Sequence, residues 1–407
     1  MLLMRDDSQH RYAVRPKQLL HWLALAWMAA LLMACDDVTP PSAVDIGSVL
    51  DSQWKARYAG SPGGLTAVLI TPTGEYFAST VAGTTPATHF RGASTTKMFT
   101  AAAIMLLDQR GQLKIDDVVT AAMPGGSGKP YLPATPGYAI PFKSQITIRQ
   151  LLQHRSGVFD VSNEDIPASA PAPYAGKRYV VWVMEQDGDH TFTLDELIGV
   201  VASNQLVKDP PGTVFNYCDT GYQLLAKIVE QVSGKPFVQF LRDEFVVPNG
   251  LADTTFPELG TTQSLPTPFI DGYLLQFGKV RQVTQQNVSA ANGDGNIVTT
   301  PADLSRWTRR LLRGEAGIDA KQVTRMHECV PTGDHFVAYG LGLECNPAAF
   351  GWGHNGGNPG YLTVARHDID NDVAVMLFTT FADYDDTPGV TAWLYDTVTK
   401  VRAAAGY

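Results

Sequence analysis

Strand-forming runs lie at both ends of this chain's globular part and helix-forming runs fill the interval, so the two ends have to meet to complete one sheet. Leu65 to Ile70 and Glu75 to Ala82 flank Thr71-Pro72-Thr73-Gly74, a turn by composition, and predict an antiparallel hairpin. Near the other end, Tyr361 to His367 and Asp372 to Thr380 are strands joined by Asp368-Ile369-Asp370-Asn371, followed by a closing helix over Val390 to Ala404. Val44 to Tyr58 has apolar residues at helical spacing. Ser94 to Gln109 repeats that spacing with Met98, Ala101, Ala102, Met105 and Leu106 on one face and Gly111 as its stop. The middle third reads as helical and loop-rich, with Gly and Pro concentrated from Pro124 to Pro141 and from Pro167 to Pro173. The predicted class is α+β: an antiparallel sheet flanked by helices and built from both chain termini, with an inserted, mostly helical lobe. The sheet lobe is expected over about 44–110 and 290–407, and the helical lobe over about 111–289.

The first residues depart from a globular pattern. Arg5, Arg11, Arg15 and Lys17 lead into an unbroken apolar run from Trp22 to Ala34, a signal-peptide core too short to span a bilayer comfortably. It ends in Leu32-Met33-Ala34-Cys35, which resembles a bacterial lipobox and implies lipidation of Cys35, with residues 1–34 as signal peptide and 35–43 as tether. Ordinary cleavage near Ala34, leaving a soluble periplasmic protein, is the alternative, and Asp36 leaves the choice of membrane open. The chain carries a net charge of −9, and loss of residues 1–34 makes it more acidic, which argues against nucleic acid as a partner. With Cys35 used for lipid, Cys218, Cys329 and Cys345 remain; Cys329 and Cys345 could close a loop of about sixteen residues in an oxidising compartment, with Cys218 left free.

Ser94-Thr95-Thr96-Lys97 opens the apolar helix, and a spacing of three puts hydroxyl and amine on one face. A serine hydroxyl needs a base to become a nucleophile at neutral pH. A lysine partly desolvated near the positive end of a helix has a lowered proton affinity and can serve as that base. Two further segments make a constellation of it. Phe215-Asn216-Tyr217-Cys218-Asp219-Thr220-Gly221-Tyr222 precedes a helix with Leu224, Leu225, Ile228, Val229 and Val232, stopped at Gly234. Gly351-Trp352-Gly353-His354-Asn355-Gly356-Gly357 leads through Pro359-Gly360 into the strand at Tyr361, and its glycines let a strand edge approach a ligand.

In these segments the sequence resembles the serine β-lactamase-like superfamily, closest to class C β-lactamases, D-Ala-D-Ala carboxypeptidases of the S12 peptidase type and related esterases. Its Ser-X-X-Lys motif falls on Ser94 and Lys97, its Tyr-X-Asn motif on Tyr217-Cys218-Asp219, and its Lys- or His-X-Gly motif on His354-Asn355-Gly356. Ile146 to Gly157 and Pro211 to Phe215 also look like it, and the likeness runs from about residue 50 to the C-terminus. The resemblance implies a β-lactamase/transpeptidase-like fold and attack by Ser94 on a carbonyl. It also implies Lys97 and Tyr217 as proton shuttles, an oxyanion hole from the backbone N–H groups of Ser94 and Gly357, and no metal or organic cofactor. Substrate contacts are expected at Asp219, His354, Asn355 and Gly356.

Two positions depart from the family pattern. Asp219 stands where an asparagine is usual; a carboxylate only accepts hydrogen bonds, and it favours the charged form of a neighbouring lysine. Tyr217 then carries more of the base role, or Asp219 recognises a cationic substrate group, or activity is poor. His354 in place of lysine offers a weaker, pH-dependent handle for a substrate carboxylate, which tilts the expectation from a β-lactamase toward a peptidase or esterase. Other candidates have plainer readings: His154 as a buried hydrogen-bonding histidine, Trp352 as a core or rim aromatic, Asp368, Asp370 and Asp372 as a hairpin turn rather than a calcium loop, and His327, Cys329 and His335 as no zinc site. The functional expectation is a serine acyl hydrolase acting on a D-amino-acid peptide, a β-lactam or a small ester. The alternative is a low-turnover penicillin- or peptidoglycan-binding protein.

Overall fold

The structure, a computed structural model, describes residues 44–126, 128–333, 338–346 and 350–407. The expected signal peptide, tether and lipidated Cys35, and also His335, lie outside the described residues.

Helix α1 (Ile46–Tyr58) begins at Asp45, whose carboxylate accepts the Ser48 N–H at 2.9 Å as a helix cap. The hairpin β1 (Leu65–Thr71) and β2 (Gly74–Ser79) follows, and then β3 (Phe90–Ala93) and α2 (Thr96–Gln109). The middle of the chain carries α3 (Ile148–Leu152), α4 (Tyr179–Met184), α5 (Leu194–Ser203), α6 (Asp219–Ser233) and α7 (Phe237–Leu241). Next come β4 (Tyr273–Gln276), β5 (Lys279–Gln282), β6 (Ile297–Thr299), α8 (Pro301–Leu312) and α9 (Ala320–Met326). The last part holds β7 (Val330–Pro331), β8 (Ala338–Tyr339), β9 (Glu344–Asn346), β10 (Gly351–Asn358), β11 (Tyr361–Asp368), β12 (Val373–Thr379), β13 (Phe381–Asp383) and α10 (Thr387–Ala403).

The main sheet runs β2-β1-β12-β11-β10-β9-β8-β7 with every neighbouring pair antiparallel. The two ends of the chain meet in it: β1 pairs with β12 from Leu65↔Thr379 to Ile70↔Ala374. Every residue of β12 is buried, on both faces of the pleat, which explains why its sequence is apolar throughout instead of alternating. Helices α1 and α10 pack on each other and on this sheet, and α8 packs on β1, β10, β11 and β12. The α+β class with a sheet built from both termini is therefore what the chain forms.

Two local features differ from the sequence reading. The middle third contains a hairpin, β4 and β5, which pairs through β4 with β13 in a separate three-stranded sheet. Its strands have four residues each, too few to show a period. Helix α2 is buried on every side from Thr96 to Leu107, not along one face; small residues at Ala101, Ala102 and Ala103 let neighbours close around it. One hydrophobic core joins the sheet (Val68, Met376, Phe378) to the helices (Met105, Leu197, Leu225), and residues 45–407 form one compact unit. Cys329 and Cys345 are joined by a disulfide across 16 positions, and Cys218 is free and buried.

Candidate active site

Ser94 stands at a corner. Strand β3 ends at Ala93, which takes a left-handed φ of 50°, a costly conformation for a residue with a Cβ. The Lys97 N–H then donates to Ser94 O at 2.9 Å, closing the turn that starts α2. Between buried Arg91–Ala93 and buried Thr95–Thr100, Ser94 alone reaches solvent.

The Lys97 side chain is fully buried one helical turn on. Its Nζ donates to Ser94 Oγ at 3.1 Å, to Asp219 Oδ1 at 2.6 Å and to the Asp294 main-chain oxygen at 2.9 Å. Burial pushes the amine's pKa down, but the charge of Asp219, with contributions from Tyr217 and Asp294, outweighs it and holds Lys97 well above its ordinary value. The expectation of a lysine with lowered proton affinity is corrected by this ion pair: Lys97 is a cation. Asp219 Oδ2 accepts from Asn163 Nδ2 at 2.7 Å, and the Asp219 N–H donates to Asp160 Oδ2 at 3.1 Å. Burial and the Asp219 charge raise Asp160 to about 6 and push Asp294 well above the usual carboxylate range.

Tyr217 is presented by a loop bracketed by one residue. His154, itself left-handed at φ 54°, accepts the Asn216 N–H on its main-chain oxygen at 2.8 Å and the Cys218 N–H on Nδ1 at 3.0 Å. Its ring stacks on Tyr217 with centroids 4.2 Å apart. His154 is thus the buried hydrogen-bonding residue expected of it, and it fixes both ends of the tyrosine's peptide. Lys97 Nζ lies 4.8 Å from the Tyr217 ring centre, and Tyr217 lines the same cleft as Ser94. Burial, against the opposing pull of Lys97, raises the phenol's pKa, so Tyr217 stays protonated at neutral pH.

The opposite wall is β10. Strand β9 faces it only from Gly351 to Gly353, and beyond that point no strand among the described residues pairs with this edge of β10. The Asn355 N–H points across this edge to Glu344 Oε1 at 2.9 Å. Amides two residues apart point the same way along a strand, which places the Gly357 N–H on the open edge too. Gly356 faces β3: a Cβ there would lie 2.1 Å from Gly92 O, so only glycine lets β10 come this close to the Ser94 corner.

His354 is not the handle predicted for it. The imidazole is buried, and its Nδ1 lies 2.5 Å from Asn355 O, which can only accept, so Nδ1 carries the proton. Nε2 accepts from the Tyr339 hydroxyl at 2.8 Å. Burial lowers His354 to about 4, against the opposing charge of Glu344, and both nitrogens are already engaged. The Asn355 amide is likewise committed to the wall, donating to the Tyr395 hydroxyl at 2.5 Å and accepting from Arg366 at 2.8 Å.

Ser94, Tyr217, His354, Asn355, Gly356 and Gly357 line one cleft of about 300 Å³, completed by Leu362 from β11 and Tyr395 from α10. Three sequence segments more than a hundred residues apart thus meet at one serine. Sequence reasoning missed Asp160, Asn163 and Asp294 around Lys97, and Glu344, Arg366 and Tyr339 behind β10. All lie in stretches with no motif, and only the hydrogen bonds and ion pairs of the folded chain select them. Trp352 stacks on His327 with ring centres 4.5 Å apart and does not line the cleft. Among the described residues no group of three or more His, Cys, Asp or Glu is arranged to hold a metal ion.

The chain is similar to known proteins over most of its length. The crystal structure of D-amino acid amidase from Ochrobactrum anthropi SV3 complexed with D-phenylalanine superposes with a TM-score of 0.69 at 26% identity, covering 88% of this chain and 97% of that one. A putative penicillin-binding protein, PbpX, of Bacillus subtilis (strain 168) is 26% identical over 72% of this chain and 62% of its own length. The D-alanyl-D-alanine-carboxypeptidase/endopeptidase AmpH of Escherichia coli (strain K12) is 26% identical over 59% of this chain and 53% of its own. The chain spans between about half and two-thirds of the length of these curated relatives. The β-lactamase family model matches residues 57–397, a stretch that holds the whole cleft, and the chain belongs to the β-lactamase family.

Proposed function

We propose that this chain is an acyl hydrolase that opens an amide or ester through a covalent acyl-Ser94 intermediate, with D-amino-acid peptides and amides as its main substrates. The observation that carries the reading is the contact of Ser94 Oγ with Lys97 Nζ at 3.1 Å, beside the Tyr217 hydroxyl and across a cleft from an open strand edge. Ser94 attacks the carbonyl, Lys97 and Tyr217 move its proton, and the N–H groups of Ser94 and Gly357 stabilise the oxyanion. Water then releases the acyl group.

The neutral, enclosed His354 favours an amide or ester with no carboxylate beside the scissile bond over a β-lactam, because it supplies no cation for a substrate carboxylate. The activities named for two relatives, a D-amino acid amidase and a D-alanyl-D-alanine carboxypeptidase, support D-amino-acid substrates. Export, with Cys35 lipidated and the protein held at a membrane facing the periplasm, completes the proposal; replacing Cys35 with Ala and following loss from the membrane fraction tests it. The second reading, a penicillin-binding protein that acylates and turns over slowly, is favoured by the Lys97–Asp219 ion pair.

A panel of nitrocefin, a D-Ala-D-Ala peptide, a D-amino-acid amide and p-nitrophenyl butyrate decides between them. Turnover of the peptide or amide, lost in Ser94→Ala, is expected. A stoichiometric burst on every substrate without turnover selects the binding protein, and no Ser94-dependent reaction with any of the four sinks both readings.

A further inference from the structure

Lys97 presents a problem for the proton transfer just described. An ammonium has three protons and no lone pair, and here all three are directed at acceptors: Ser94 Oγ, Asp219 Oδ1 and Asp294 O. The nitrogen cannot take the Ser94 proton until it has given one away. Of its three partners, a hydroxyl and a main-chain carbonyl are very weak bases, and the third is a carboxylate. Tyr217 does not relieve the problem, because its phenol keeps its own proton at neutral pH.

We propose that Asp219 is the terminal proton acceptor of acylation, acting through Lys97, so that the asparagine-to-aspartate departure supplies the base of this site; the proposal rests on the acyl-Ser94 reading above. As the Oγ–C bond forms, the Oγ–H bond breaks and its proton goes to Lys97 Nζ, while a second proton leaves Nζ for Asp219 Oδ1. The carbonyl π pair moves onto oxygen. Lys97 remains an ammonium throughout and Asp219 becomes a neutral acid. When the tetrahedral adduct collapses, the Tyr217 hydroxyl protonates the leaving group, and the proton held on Asp219 returns through Lys97 to the phenolate. The net change is one proton carried from serine to leaving group.

The surroundings suit this role. The carboxylate of Asp219 is 19% exposed and its amine partner is fully buried, so little water is at hand to favour the ion pair over the neutral pair. The groups facing Asp219 are Lys97 from α2, Tyr217 and Asn163 from loops, Asp160 ahead of Asn163, and Asp294 ahead of β6.

The test is the pre-steady-state acylation rate of the full chain with nitrocefin and a chromogenic ester, from pH 4 to 10, for wild type, Asp219→Asn and Ser94→Ala. In Asp219→Asn the rate at pH 7 is expected to fall by roughly a hundredfold or more and to climb again with rising pH, as Lys97 itself has to be deprotonated. The proton inventory in mixed H₂O and D₂O is expected to change from curved, for two protons in flight, to linear. Asp219→Asn acylating at the wild-type rate or faster overturns the proposal, and so does a uniform slowing with the pH profile and inventory unchanged. Absence of any Ser94-dependent burst in the wild type overturns the acyl-serine reading instead.

Discussion

Replacing Glu344 with leucine removes the acceptor that holds β10 in place behind the cleft. The Glu344 and Arg366 side chains are 5% and 2% exposed, and the carboxylate takes the guanidinium on Oε2 and the Asn355 N–H, at 2.9 Å, on Oε1. Without it the Arg366 Nη2 keeps a single neutral acceptor, Asn355 Oδ1 at 2.8 Å. Breaking a buried ion pair from one side costs about 3–5 kcal/mol, and the orphaned amide falls largely within that range because the effects share partners. Against a domain stability of about 5–15 kcal/mol this is a large fraction. Burial raises the Glu344 pKa, but the adjacent Arg366 charge outweighs it and the net shift is downward. The sign follows: a depressed carboxylate contributes its stability above its unfolded pKa of about 4.3, and loses it as pH falls through the folded value. Urea unfolding of wild type and Glu344→Leu at pH 7 and pH 3 measures this, with the gap between them expected to shrink at pH 3. A loss below about 1 kcal/mol at pH 7, less than an unpaired buried charge costs, or a gap that widens in acid, would refute the reasoning.

The remaining predictions concern other parts of the same wall. His354, lowered to about 4, contributes stability above its unfolded pKa of about 6.5 that is lost as pH falls from there toward 4; an NMR titration midpoint above 6 contradicts its enclosure. Gly356→Ala is expected to cost about 1–3 kcal/mol by overpacking against Gly92 O, and to slow acylation. Gly357→Ala, whose Cβ would meet only Leu362 Cδ2 at 3.4 Å, keeps wild-type stability, and equal melting temperatures for the two variants count against the close approach of β10 to β3. A Cys329→Ser and Cys345→Ser double variant should lose about 3 kcal/mol from its sixteen-residue loop, read by urea unfolding, and no loss removes the disulfide from the account.

The motifs were legible because each is a short run of unusual chemistry at the edge of a periodic element. Ser94 and Lys97 open a buried apolar helix, Tyr217 precedes α6, and the glycines of β10 break a strand pattern. The sheet's closure was legible from where the apolar runs lie, since β1 and β12 have no other way to cover themselves. What could not be read was the partner of each charge. The Asp219 departure already pointed to a charged Lys97, but that the two meet at 2.6 Å, with Asp294 O as a further acceptor, is seen only in the folded chain. His354 reads as an exposed handle until Tyr339 and the Asn355 carbonyl engage both of its nitrogens. Protonation state is a property of the assembled site, and neither residue type nor spacing carries it.

The covalent intermediate is the claim on which the functional account depends. Intact-mass spectrometry of the protein quenched after mixing with benzylpenicillin or a fluorophosphonate measures it directly, with peptide mapping to place the adduct. The account predicts a single adduct on Ser94, absent from Ser94→Ala. No adduct on the folded wild type, or one that persists in Ser94→Ala, would contradict it.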